Sequence, residues 1–474
     1  MPLPRQIYLL DPKKLSPETI AVTFAKTSRS PESFHEIAAE LTDEKSAEFH
    51  EKWVVGYGHS SVAEHAVLHL AVENISRLAV ECLESNRLAS YTEKSTRYQK
   101  WNPEDFFTPP EFSSTLVEDL YTDTCRKLFD AYQRTLPAVK AVVESENPRR
   151  PDESESAWDR RIRTQYIDVC RYLLPAASLA NVGVTINARA LEHAICKMLS
   201  HPLREVQQMG VEIKSVTQAE VPTLVKYADA EPCLMAAAKS LADQARKVVP
   251  QQDGIGDWCR LLDFNADGEK RLLAAALFRF GQFSYQNALS YVNGLTQTDQ
   301  GDLAKSLLDG LDEHTTPLRE LEHTAFTFEL VIDQGAFFEL KRHRMMTLTS
   351  QPLTTRLGYA VPRRMVLAGM EDAYREVMDA ACAAYEKLYL FNPEAASYVV
   401  PNGFKRRVLF TINLRSLEHL VALRSGAGAH FSLRRVAQRL AEEVRRVMPV
   451  MGGYLRVEPS ETYQQIEQEH FSEA

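Results

Sequence analysis

The stretch TINARALEHAI, Thr185–Ile195, returns later in the chain as TINLRSLEHLV, Thr411–Val421. Another pair of landmarks precedes these copies in the same order. Glu64-His65 leads through an apolar alternating run to Ser76-Arg77 and SNRLASYTEKSTRY (residues 85–98), while Glu322-His323 leads through TAFTFELVI to Arg342-His343-Arg344. Ordered recurrence of this kind marks a duplicated unit and settles the organisation before any single element is assigned. Two tandem units are expected, residues 1–245 and 255–474.

Within the second copy, Phe326, Phe328, Leu330 and Ile332 alternate with Thr327, Glu329 and Val331, the period of a half-buried strand. A helix is expected from Gln334 to about Arg344, with the basic triplet at its C-terminal end, where cations suit the helix dipole. The first copy repeats strand and helix through Ala66 to Asn86, then carries a longer insert whose polar stretch ENPRRPDESESAW, residues 146–158, reads as a surface loop. A polar patch near residues 251–256 reads as the seam between the copies.

Length sets a prior of two to three domains, and 45% hydrophobic with 25% charged residues match an ordinary globular chain. A net charge of -9 argues against a general nucleic-acid binder, though Lys405-Arg406-Arg407 still suits a small anion. The seven cysteines lack CxxC pairing or zinc-like spacing, so no metal site and a reducing, cytoplasmic location are expected. No run approaches the ~18 apolar residues of a membrane span, and the N-terminal segment has only a three-residue apolar run, so neither membrane insertion nor export is expected.

After TINLR, Leu417, Leu420, Val421 and Arg424 share one helical face, which places an arginine on the apolar stripe. A guanidinium cannot shed its proton, so burial demands an anionic or strongly accepting partner, a ligand or an internal carboxylate, unless the side chain snorkels to the surface. The first copy has Met198 in that register, and an asymmetric arginine favours the ligand. Arg87, Ser90, Glu93, Ser95 and Arg97 crowd a short polar segment suited to phosphate oxygens, or to solvent as a charged loop. His59, Glu64 and His65 find no further metal ligands at workable spacing, and His193 and His419 read as structural or cofactor-facing. GAGAH, Gly426–His430, is too short to count as a dinucleotide fingerprint.

These motifs resemble the flavin-dependent thymidylate synthases, whose signature reads RHRxxSxNExSxRY, with an upstream HxxxxEH-type segment and a downstream TxNAR helix. The resemblance implies an α/β fold of the α+β type: two tandem thymidylate-synthase-complementing-like units, each a small sheet packed with long helices, fused as a pseudo-dimer. The first copy keeps Ser90, Glu93, Ser95, Arg97 and Tyr98 but loses the basic triplet; the second keeps Arg342, His343 and Arg344 but has Thr347, Thr349, Ser350 and Pro352 at the signature's later positions. Arg171, ahead of Pro175, and Arg424 match two further family arginines, replaced by Ser397 and Met198 in the opposite copies. The losses are complementary, so one composite nucleotide site is implied: Arg342, Glu339 and Arg424 with Glu93, Ser95, Arg97 and Arg171, Arg424 being the catalytic cation. The resemblance assigns the flavin to His343, Arg344, Asn413, Arg415 and His419, with Asn187, Arg189 and His193 as first-copy equivalents and Ser61 and Thr316 nearby. Histidine at 193 and 419 and Glu339 depart from the family's asparagine and glutamine.

The implied reaction is reductive methylation of dUMP to dTMP, with methylenetetrahydrofolate as one-carbon donor, FAD as hydride carrier and NADPH as reductant. The implied partners are these small molecules, with neither nucleic acid nor membrane, and a second copy of the chain, since a homodimer of fused units would mimic the family's tetramer. Methylation of another pyrimidine, or a non-catalytic flavin- or nucleotide-binding role, are the alternatives.

Overall fold

The computed structural model describes residues 6–97, 101–248, 256–312 and 314–472. Tyr98 and most of the seam at 251–256 lie outside the described residues. The elements of the first repeat are β1 (Val67–Ser76), α1 (Arg77–Glu84), β2 (Ala89–Glu93), α2 (Glu118–Glu146), α3 (Glu155–Cys170), β3 (Leu179–Asn187), α4 (Ala188–Leu199) and α5 (Arg204–Thr217). Those of the second are β4 (Cys259–Phe264), β5 (Ala325–Asp333), α6 (Gln334–Leu340), β6 (Thr347–Ser350), α7 (Glu371–Phe391), β7 (Lys405–Asn413), α8 (Leu414–Arg424) and α9 (Phe431–Val447). Both sheets are antiparallel, ordered β1-β3-β2 and β4-β5-β7-β6. This is the expected α+β architecture in two copies, with β4 added to the second sheet.

The alternation read in the sequence is the alternation of burial as far as Leu330; Val331, read as an outward position, is buried as well. Phe326, Phe328, Leu330 and Ile332 are buried on one face of β5, while Thr327 meets Thr411 across the other face at 2.9 Å. The equivalent exposed pair in the first sheet is His69 with Thr185, also at 2.9 Å. Strand β1 is one residue longer than β5 and breaks register between Val72 and Ile75, where Asn74 takes a left-handed conformation at φ 57°. An extra residue in one strand needs such a bulge. Each TIN asparagine caps the helix that follows, Asn187 Oδ1 accepting from Ala190 N at 2.9 Å and Asn413 Oδ1 from Ser416 N at 2.8 Å.

Two compact units emerge, and their limits differ from those of the repeat. One is built from the described residues of 1–95, 106–116 and 177–251, the other from those of 96–105, 117–176 and 252–474. The reason lies in α2 and α7. Tyr121, Cys125, Leu128, Tyr132, Thr135 and Val139 are buried at alternating spacings of four and three, as are Tyr374, Met378, Ala381, Tyr385 and Leu388. Both helices thus carry a heptad seam, and they pack together in the second unit, drawing the segment around α2 and α3 with them. The polar stretch at 146–158 is a short connection, because α2 runs to Glu146 and α3 begins at Glu155.

Candidate functional site

Helix α6 is shorter than its sequence pattern suggests. It ends at Leu340, and bonds from Arg342 N to Glu339 O (3.3 Å) and His343 N to Leu340 O (3.0 Å) tighten the chain into a turn that carries Arg342-His343-Arg344 towards β6. Asp333 caps its start by accepting from Ala336 N at 2.9 Å, and Ser432 of α9 donates to the same carboxylate. A Cβ on Gly335 would lie 3.0 Å from the Tyr172 ring and 3.3 Å from His430, so glycine permits the close approach that seats α6.

From this helix Glu339 reaches a cluster of cations. Its Oε1 lies 3.3 Å from Arg97 Nη2 and 3.9 Å from Arg171 Nη2, and its Oε2 lies 3.4 Å from Arg424 Nη1. The backbone N–H of His430, at the start of α9, donates to Oε2 at 3.4 Å. A second carboxylate, Asp168 at the end of α3, accepts from Arg97 Nε and Nη2 at 2.8 and 2.7 Å and pairs with Arg171 Nη2 at 3.0 Å. Arg97 also donates to Gly428 O at 3.1 Å, and Arg171 to Thr96 Oγ1 at 3.0 Å. Asp168, Glu339, Arg171 and His430 are all less than a tenth exposed.

Three guanidinium groups thus surround two carboxylates, leaving an excess positive charge. Burial would raise the Glu339 pKa, but Arg171, Arg97 and Arg424 more than offset it and hold the carboxyl below its ordinary range. Burial pulls Arg424 down from its usual value, Glu339 opposing, while the charges of Arg342 and Arg97 add to the depression. His343 is pushed down to about 3, first by burial and then by Arg424. It is therefore neutral at physiological pH and accepts from Arg424 Nε at 3.1 Å through Nε2. Arg342 is exposed, and its charge is felt by both Arg424 and His343.

The remaining residues singled out from sequence fall elsewhere. Glu93 and Ser95 belong to the first unit, where the Glu93 side chain, 2% exposed, pairs with Arg77 at 2.5 Å. In the second unit the equivalent position is Ser350, and Arg406 from β7 donates to it at 3.1 Å and to Gln334 at 3.2 Å, filling the corresponding space with a different cation. Arg415 donates to Glu322 at 2.7 Å and to Pro317 O at 2.9 Å; Arg189 pairs with Glu64 at 2.5 Å. The same ion pair therefore joins the Glu-His and N-x-R landmarks in both copies. His419 is exposed, 5.8 Å from His343 in an edge-to-face arrangement, and Arg344 is half-buried nearby in sequence. Ser61, Thr316 and His193 are exposed. His343, Arg344, Asn413, Arg415 and His419 supply imidazole faces, an amide and two cations, a donor set that fits the ring and diphosphate of a flavin dinucleotide.

Asp168 and His430 were not among the sequence candidates. Asp168 lies in the segment read as an insert, and its only signal is its place one turn ahead of Arg171. His430 closes GAGAH and caps α9 through Nδ1, which accepts from Ser432 N at 3.2 Å.

The family described as thymidylate synthase complementing protein matches residues 10–223 and 260–450. The chain belongs to this family, in a form where the family's unit occurs twice. A UPF0159 protein of Chlamydia muridarum is 32% identical over 441 residues, covering 89% of this chain and 83% of that protein. A UPF0159 protein of Thermoplasma acidophilum is 26% identical, covering 88% and 90%. A flavin-dependent thymidylate synthase of Clostridium tetani is 28% identical over 218 residues, 45% of this chain and 82% of that enzyme. The longest of these matches run to relatives of the same doubled length, and the enzyme matches a single copy.

Proposed function

We propose that the chain is a flavin-dependent thymidylate synthase acting on dUMP, with methylenetetrahydrofolate and NADPH, and that it works as a homodimer. The observation that supports this most is the convergence of Arg97, Arg171 and Arg424 on one point at the start of α9. Arg97 and Arg171 beside the His430 N–H suit the phosphate of a ligand, which leaves Arg424 for its ring. Arg424, steadied by His343 and Glu339, supplies a fixed positive charge to stabilise the negative charge that develops on a pyrimidine ring. His343, Arg344, Asn413, Arg415 and His419 would hold FAD, which when bound supplies the hydride. Thr316 is proposed as a further flavin contact, and Asn187, Arg189, His193 and Ser61 as the equivalent flavin contacts of the first copy.

The test is the absorbance of the purified protein reconstituted with FAD, followed by NADPH-dependent dTMP formation. A colourless protein that takes up no flavin sinks the proposal, and so does unchanged dUMP affinity in Arg97→Ala or Arg424→Ala. NADPH oxidation without dTMP favours methylation of another pyrimidine, a reading supported by the carboxylate of Glu339 among the arginines.

A further inference from the structure

We propose that Glu339 is a specificity-determining residue that sets how much negative charge a ligand of the arginine cluster can carry. This rests on the cluster being the nucleotide site. Four donors from four separate segments meet on one carboxylate: Arg97 after β2, Arg171 at the end of α3, Arg424 at the end of α8 and the His430 N–H at the start of α9. Such convergence is what an incoming oxyanion needs. Here a side chain of the protein already takes the place of that oxyanion.

The helix bearing it is fixed. Asp333 caps α6 and is bonded by Ser432, and the close approach at Gly335 leaves the helix no room to shift towards Tyr172 or His430. A phosphate monoester, about doubly negative at neutral pH, must therefore share Arg97 and Arg171 with Glu339 or displace it by a change of rotamer. Either route weakens binding of a charged ligand and leaves a neutral one untouched. Glutamine has the same length and keeps one acceptor, but it carries no charge and would bring a donor to the phosphate instead.

The experiment is calorimetric binding of dUMP, deoxyuridine and inorganic phosphate to the full chain and to Glu339→Gln. The variant should bind dUMP and phosphate at least tenfold more tightly, with deoxyuridine unchanged, and Arg97→Ala in the variant should remove the gain. Equal or weaker binding of dUMP and phosphate by the variant overturns the proposal. Should the variant gain affinity for phosphate while neither protein binds dUMP or deoxyuridine, the charge filter stands and the nucleotide reading fails. If the variant does not fold, the unsubstituted protein still decides: a preference for dUMP over deoxyuridine below tenfold supports the filter, and a larger one overturns it.

Discussion

Arg97 grips Asp168 with two parallel hydrogen bonds, Nε to Oδ1 at 2.8 Å and Nη2 to Oδ2 at 2.7 Å, across 71 residues of sequence. Such a fork holds the guanidinium in one plane as well as one place. Both side chains are mostly buried, at 16% and 8% exposure. Asp168→Ala should therefore lower stability in urea by about 3 kcal/mol or more, since it strands Arg97 and Arg171 without their shared acid. Loss of less than about 1 kcal/mol would show that water replaces the carboxylate.

Met198→Arg should not create a second nucleotide site. Met198 is fully buried, and Gly210 of α5 packs so closely that a Cβ there would lie 2.9 Å from the methionine Cβ. Lys197 beside it already bonds Ser85 and Asn86, at 2.6 and 2.8 Å. An arginine would meet crowding and like charge, and the expected loss is about 3 kcal/mol. Binding stoichiometry for dUMP should stay unchanged; a second equivalent would refute the argument.

Arg406→Leu should destabilise the second unit by about 2–4 kcal/mol, through loss of a buried charge-assisted network. Arg406 donates to Gln351 O at 2.7 Å as well as to Ser350 and Gln334, and stacks 4.2 Å over Phe337. Urea unfolding monitored by tryptophan fluorescence measures the effect.

Acid should weaken the fold before ordinary carboxylates titrate. His343 and His470 are pushed to about 3 and His201 to about 4, each mainly by burial, so the folded chain keeps them neutral. The unfolded chain takes up protons near pH 6.5, so stability is complete above that value and falls as pH drops towards 4, by up to about 1.4 kcal/mol per unit for each histidine. Glu339, held low by its arginines, adds a loss only at more acidic pH. A flat stability between pH 6.5 and 5 would contradict the assignment of neutral buried imidazoles.

Arg415→Ala and Arg189→Ala separate structure from cofactor binding. Each removes a partly exposed ion pair, worth at most about 1 kcal/mol. Both should also weaken FAD binding, Arg415→Ala by tenfold or more, read from the flavin spectrum on titration; an unchanged titration would remove the substituted arginine from the cofactor site.

The parts of the fold legible in the sequence are those with local causes. Strand alternation at Phe326–Leu330 follows from one buried face, and the asparagines of TINAR and TINLR are where helix caps belong. Arg424 stood out because a charge interrupts an apolar stripe. Asp168 gave no such signal: its meaning comes from Arg97 and Arg171, which only the folded chain brings to it. The compact units were hidden for a related reason. The heptad seams of α2 and α7 are visible separately, but nothing in either states that they meet.

The caps of α1 and α6 carry a consequence of another kind. In the first repeat Ser76 donates to Glu205 at 2.5 Å; in the second Ser432 donates to Asp333, so hydroxyl and acid have changed places across the same junction. Column by column this is two mismatches, yet the bond is one and the same. A path from either arrangement to the other by single substitutions runs through two hydroxyls or through two buried acids. The first intermediate merely weakens a bond, whereas the second forces two carboxyl groups to share a proton. Of these two routes the hydroxyl one costs less, because it leaves no acid pair buried at the helix start.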